Sequence, residues 1–253
     1  MGFGASQWAN YKTPCWGLAF TMLVTLCLAP RPSFAQTALA VSPPKGASVA
    51  PAEFAAPYRA RLTLRVYNYA GVDPASLAGS EKVSEKIFRA VGLETVWVDC
   101  PTSVRNVRAF AACDTPMGPA DFVLRILPRR MAEKVRHSQD SLGFAQICPV
   151  SEPACELNLF YQRIDELAAK GYRGERILGH AIAHEVAHIL LGPAHSDDGI
   201  MRASWSPSDL DHISLGLELS FTDNQSTQLR LALLRRIQLS SPNIFAQANQ
   251  TAP

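Results

Sequence analysis

From Arg61 to Tyr69 the chain reads RLTLRVYNY, with apolar and polar side chains alternating at a period of two, and this predicts a strand. Asp73-Pro74 follows, an N-cap residue and then a proline suited to the first helical position. Leu77, Val83, Ile87, Phe88 and Val91 fall on one face of the helix this predicts, which Gly92 stops. ETVWVD (Glu94–Asp99) and DFVLRIL (Asp121–Leu127) are predicted as two more strands. A strand, a helix and a strand in that order call for a sheet with a helix packed on one face.

Further on, Leu142–Ile147 and Glu156–Tyr161 are short strand candidates. Helices are expected over Ile164–Lys170, Gly174–Leu191, Ser208–Gly216 and Thr222–Ile237. In the last of these, Leu229, Leu231, Leu233, Leu234 and Ile237 are expected as core. Strands gather before residue 165 and helices after it, so the expected class is α+β. No repeat with a period of roughly 20–50 residues is present.

The two ends lack this periodicity. Trp16–Ala29 (WGLAFTMLVTLCLA) is an uncharged, largely apolar run, too short for a bilayer span of about 20 residues but suited to the apolar core of a secretory signal. Ser33-Phe34-Ala35 then places small residues at the two positions a signal peptidase reads. Residues 1–35 are therefore expected to be a cleaved signal peptide, and 36–57, rich in Ala, Pro and Ser, a disordered leader. Residues 241–253 read as a disordered tail, which leaves 58–240 as one domain. The expected location is secreted or periplasmic, with no stable membrane span after cleavage.

Charge narrows the function. The 253 residues hold 24 Lys and Arg against 22 Asp and Glu. Removing the first 35 residues, with Lys12 and Arg31 and no acid, leaves 22 of each sign. A neutral chain without basic tracts is a poor nucleic-acid binder, so that class drops out. Arg129-Arg130 and Arg235-Arg236 are expected on a solvated face. Of the six cysteines, Cys100, Cys113, Cys148 and Cys155 lie in the mature chain. No C-x-x-C spacing is present, so two disulfides are expected, with Cys100–Cys113 and Cys148–Cys155 favoured because they close the shortest loops.

The chemistry is concentrated in GHAIAHEVAHILLGPAHSDDGIM, which contains His184-Glu185-x-x-His188. Four residues apart on a helix, the two imidazoles share a face and can reach one metal ion. Glu185 stands beside the first of them, placed to act as general base on a water at the metal. Gly192-Pro193 ends the helix, with glycine expected in the left-handed cap conformation. His195 follows where a returning chain could supply a third ligand, and Gly199-Ile200-Met201 offers a tight turn with a methionine. Asp197, Asp198, Asp211 and Glu218 stay open as alternative third ligands. His180, one turn before His184, is read as a packing residue. His137 and His212 have no constellation around them.

These residues resemble the signature of the metzincin clan of zinc metallopeptidases, H-E-x-x-H-x-x-G-x-x-H followed by a methionine-bearing turn. The pairs His195-Ser196 and Ile200-Met201 look most like its matrixin branch. The resemblance covers His184 to Met201 and departs in one place. Leu191 stands where the signature has glycine, and His195 follows His188 by seven residues rather than six. It implies a zincin-like fold: a mixed twisted sheet with packed helices, an active-site helix, a methionine turn and C-terminal helices. It also implies one catalytic Zn²⁺ held by His184, His188 and His195, Glu185 as base, Met201 as turn residue, and a peptide or protein substrate. The expected function is an exported zinc-dependent endopeptidase, with Glu156–Phe160 as the strand that pairs with extended substrate. A zinc hydrolase of a non-peptide amide and a catalytically silent zinc-stabilised binding protein are the alternatives. Oligomeric state has no signal in the sequence.

Overall fold

The computed structural model describes residues 60–103, 111–135, 141–150, 152 and 154–240. The expected signal peptide, leader and tail lie outside the described residues, as does His137. Five strands among them form one mixed sheet: β1 (Ala60–Asn68), β2 (Leu93–Cys100), β3 (Asp121–Leu127), β4 (Gly143–Ala145) and β5 (Cys155–Phe160). Their order is β2-β1-β3-β5-β4, with every neighbouring pair parallel except β4–β5. The helices are α1 (Pro74–Ala90), the short α2 (Ala111–Asp114) and α3 (Arg129–Ala132), α4 (Tyr161–Ala168), α5 (Gly174–Leu191), α6 (Pro207–Leu215) and α7 (Asp223–Ser240). This is the α+β architecture that the patterning calls for. None of the described helices is long and apolar enough to cross a membrane.

Helix α1 begins as its sequence dictates, with the Asp73 carboxylate accepting from the Ala75 and Ser76 N–H groups. Its inward face carries Leu77, Ile87 and Phe88, but also Ser80 and Ser84, while Val83 is half-buried. Small residues there let α5 come close. A Cβ on Gly179 would lie 2.6 Å from the Ser80 carbonyl oxygen and 2.7 Å from Val83 Cβ, so only glycine fits that contact. Helix α5 is buried without a break from Ile177 to Ile189, as a central helix covered on all sides is. It touches α1, α4, α6, α7, β4 and β5, and this central place makes it a rigid support for the side chains it carries.

Several expectations are corrected. The strand expected over Leu142–Ile147 shrinks to Gly143–Ala145, and α4 starts at Tyr161, directly after β5. Leu231 is 49% exposed, because the inward stripe of α7 runs through Leu229, Leu233 and Arg236, and Leu231 projects from another side. Arg236 is accordingly 2% exposed rather than solvated. Its guanidinium donates to the Pro119 and Glu152 carbonyls, contacts Cys148 and Cys155, and lies over the Phe122 ring. Arg235 and the Arg129-Arg130 pair are exposed as expected.

Both disulfides that join sequence neighbours are present, each with Cα atoms 5.8 Å apart. Each loop is also held by a buried arginine. Arg65 donates to the Cys113 and Thr115 carbonyls and pairs with Asp121, and Arg236 does the same work at Cys148–Cys155. Burying a guanidinium is tolerated where carbonyl acceptors replace its lost water, and these loops supply them.

Candidate metal centre and active-site cleft

The C-terminal half of α5 carries His184, Glu185 and His188, which are only 9%, 6% and 8% exposed. One helical turn sets the two imidazoles side by side, with their Nε2 atoms 3.0 Å apart. His184 Nδ1 lies 2.8 Å from the Ile200 carbonyl oxygen, and His188 Nδ1 lies 2.9 Å from that of Gly192. A carbonyl only accepts, so each Nδ1 carries the proton and each Nε2 presents a lone pair.

Gly192 makes that second contact possible. It ends α5 with φ 93° and ψ −173°, an extended positive-φ conformation rather than the expected left-handed cap. That region is open almost only to glycine. The turn sends the chain back over the helix end, and the exposed His195 reaches the cluster with its Nε2 3.2 Å from that of His188. The longer spacing after His188 is thus absorbed at Gly192. All three ligand-capable nitrogens lie within 4.8 Å of one another, the one such cluster of three among the described residues.

Protonation favours the same arrangement. Burial holds the His184 imidazole down to about 4, with His188 and His195 acting in the same direction and the Ile200 carbonyl opposing. His195 is also lowered, by burial and then by His188. Both rings are therefore neutral at physiological pH, the form that binds metal. Burial pushes the Glu185 carboxyl up to about 8. Two bare nitrogens 3.0 Å apart repel each other, and a cation between them converts that repulsion into attraction. Nitrogens on one tetrahedral zinc ion sit about 3.3 Å apart, so the donor set and its spacing fit the metal.

Met201 is buried in the core beside Ile200, and its carbonyl accepts from the Ser196 N–H at 2.9 Å. Of the alternative ligands, Glu218 pairs instead with Lys86 at 2.8 Å and Arg176 at 3.7 Å, and Asp197, Asp198 and Asp211 lie outside the cluster. His180 is fully buried, with Nδ1 2.8 Å from the Arg176 carbonyl oxygen and Nε2 accepting from the Leu219 N–H at 3.2 Å. Both its nitrogens are occupied, which matches a packing residue. His212 is exposed.

The cluster opens into a cavity of about 590 Å³ lined by His184, Glu185, His188 and His195, by β4, and by Trp205 and Leu210. Trp205 Nε1–H donates to the Ile200 carbonyl at 3.1 Å, the same oxygen that fixes His184, and its ring stands edge-on to His184. Gly143 lies against Glu185: a Cβ there would be 3.3 Å from Glu185 Cγ and 2.6 Å from the Asn158 carbonyl oxygen. Neither Trp205 nor the Ile200 and Gly192 carbonyls stand out in the sequence. A backbone acceptor has no residue-type signature, whereas Gly143 at the head of an apolar run is a signal that a close approach was coming.

The strand expected to meet substrate is also corrected. β5 is paired on both sides, by β3 and by β4, so Glu156–Phe160 has no free edge. β4 is the edge. Its ladder bonds run from Phe160 N–H to the Leu142 carbonyl and from Gln146 N–H to the Glu156 carbonyl. By antiparallel alternation the N–H and C=O groups of Gly143 and Ala145 then point away from β5. The Ser141 hydroxyl engages both backbone groups of Gly143, which leaves Ala145 presenting its pair at the cavity side.

Compared with known proteins, the chain matches no family model and no curated protein sequence. Among solved structures it is similar to archaemetzincin from Methanopyrus kandleri, with 14% identity and a TM-score of 0.46 over 70% of this chain and 98% of that one. It is also similar to metalloproteinase-II from Bacteroides fragilis, with 10% identity and a TM-score of 0.43 over 69% of this chain and 53% of that one.

Proposed function

We propose that this chain is an exported zinc-dependent endopeptidase. The observation that carries the reading is the convergence of three imidazole nitrogens beside a buried glutamate, in a cleft bounded by an edge strand. His184, His188 and His195 would hold one Zn²⁺, with one position left open for chemistry. When bound there, zinc would supply Lewis-acid polarisation of a peptide carbonyl and acidify the attacking water to near neutral pH.

The remaining work falls to the chain. Glu185 takes a proton from the attacking water and later gives it to the leaving amine. Its burial makes it a stronger base than an exposed carboxylate, and a neighbouring cation would bring it back toward the ionised form. The Ile200 and Gly192 carbonyls hold the His184 and His188 rings in the ligating tautomer. An extended peptide would add to β4 through the outward N–H and C=O of Ala145, so that its backbone lies along the cleft. The two disulfides accord with an oxidising compartment, and residues 1–35 with the signal that delivers the chain there. Met201 would support the site from below.

Equilibrium zinc titration of residues 36–253 tests the metal centre. One ion per chain is expected, retained in Glu185→Gln and lost or weakened at least about a hundredfold in His184→Ala. Binding by His184→Ala as tight as the wild type would rule the centre out.

A further inference from the structure

His195 differs from the other two members of the cluster. His184 and His188 are rigid on α5 and each Nδ1 is held by a carbonyl, whereas His195 is exposed and its Nδ1 has no partner among the described residues. Its place is therefore set by its backbone, the short loop that returns from Gly192. That loop is tied down immediately after the histidine. Ser196 N–H donates to the Met201 carbonyl at 2.9 Å, and the Ser196 hydroxyl gives its one proton to the Asp198 carbonyl at 2.7 Å.

Farther along, the loop is held by Arg202 Nε on the Asp197 carbonyl at 2.7 Å and by the Ser220 carbonyl on Ile200 N–H at 3.0 Å, but the side chain from outside the loop that meets Ser196 is Gln225. Its Nε2 donates to Ser196 Oγ at 3.1 Å, using the lone pair that the hydroxyl has left. Gln225 is held by a helix cap of its own. Its Oε1 accepts from Thr222 N–H at 3.0 Å, and its backbone N–H donates to Thr222 Oγ1 at 3.3 Å. This reciprocal pair is a capping box at the start of α7. Only the amide oxygen can accept from Thr222, so the nitrogen must face Ser196. One side chain thus caps a helix with its oxygen and, with its nitrogen, anchors the residue next to His195.

We propose that Gln225 is a positioning residue for His195 and, through it, sets how tightly the three-histidine cluster holds its metal. The inference rests on the reading of His195 as a ligand. It gives α7 a function that its leucines do not explain, as the brace of a loop that is one residue longer than the signature it resembles.

Gln225→Glu separates the two duties. A carboxylate still accepts from Thr222 N–H and suits a helix N-terminus, but it has no N–H for Ser196. Its added negative charge would favour a nearby cation, so any loss of affinity cannot come from charge. The experiment is Zn²⁺ competition against a chelator, with thermal unfolding alongside, for wild type, Gln225→Glu, Ser196→Ala, the double variant and His195→Ala. The expected result is an unchanged or higher Tm for Gln225→Glu with a Kd for zinc weakened by about five- to tenfold. Ser196→Ala weakens binding at least as much, since it also removes the hydroxyl's bond to the Asp198 carbonyl, and the double variant is no weaker than Ser196→Ala, because that substitution already removes the Gln225–Ser196 bond. A Kd for Gln225→Glu within twofold of wild type, or additive losses in the double variant, overturns the proposal while His195→Ala still weakens binding. If His195→Ala binds as tightly as wild type, the ligand reading fails and the proposal with it.

Discussion

His180 and His184 lie one turn apart on α5, and what meets each Nε2 gives them different chemistry. The Leu219 N–H occupies Nε2 of His180, whereas Nε2 of His184 lies 3.0 Å from that of His188 beside the cavity. A proton on His180 Nε2 would oppose the Leu219 N–H donor to donor. Burial holds its pKa below the ordinary 6.5, with the Arg176 carbonyl and Glu218 opposing that shift. A histidine with a depressed folded pKa leaves the unfolded chain to take up the proton first as pH falls. Its contribution to stability is therefore full above about 6.5 and is lost below it. Urea unfolding between pH 7 and pH 5 should show a shallower loss of stability in His180→Asn than in wild type. The difference can reach about 1.4 kcal/mol per pH unit. Parallel slopes in the two proteins would contradict this placement of His180. The same comparison shows what the sequence can reveal at this level. Spacing assembles the histidines and glutamate, but the carbonyls that choose each tautomer are invisible to it.

Helix α5 was legible almost to the residue, because the largely apolar segment between Gly174 and Gly192 is too long for a strand and ends at a glycine followed by a proline. Its partner α1 was legible in extent and in the large residues of its inward face, but not in the serines that share that face. Gly179 drives α5 against Ser80 and Val83, so small residues, not only large ones, turn inward. Gly179→Ala should therefore lower stability by roughly 1–2 kcal/mol through overpacking, although alanine in a helix interior normally gains about 1 kcal/mol over glycine. Chemical denaturation measures this directly, and a stabilised variant would show the helices to be further apart. The strand near the cleft was read one place off. Glu156–Phe160 has the stronger strand pattern because it is buried on both sides, and that burial is what denies it to substrate. Three residues of β4 are too few for any period to show. Proline is tolerated where an edge N–H faces outward. Ala145→Pro should raise KM for peptide severalfold with zinc content unchanged. An unaltered KM would remove β4 from the substrate site.

The sheet and the helices meet beside the three-histidine cluster. β4 ends the sheet beside α5, and the chain after Met201 forms the opposite wall with Trp205 and Leu210. The topology that puts β4 at the edge needs a parallel core of β1, β2, β3 and β5 and one antiparallel return. That return is the segment closed by Cys148–Cys155 and gripped by Arg236 of α7. Alternation and helical spacing announced the α+β layering, whereas the strand order depends on contacts far apart in the chain. The most direct measurement is cleavage of an unfolded protein mixture by zinc-loaded residues 36–253, wild type beside Glu185→Gln. Wild type should cleave, and Glu185→Gln, still holding its zinc, should be slower by about 10²–10⁴-fold. Equal rates in the two proteins, or no cleavage by wild type carrying one zinc per chain, would contradict the peptidase reading.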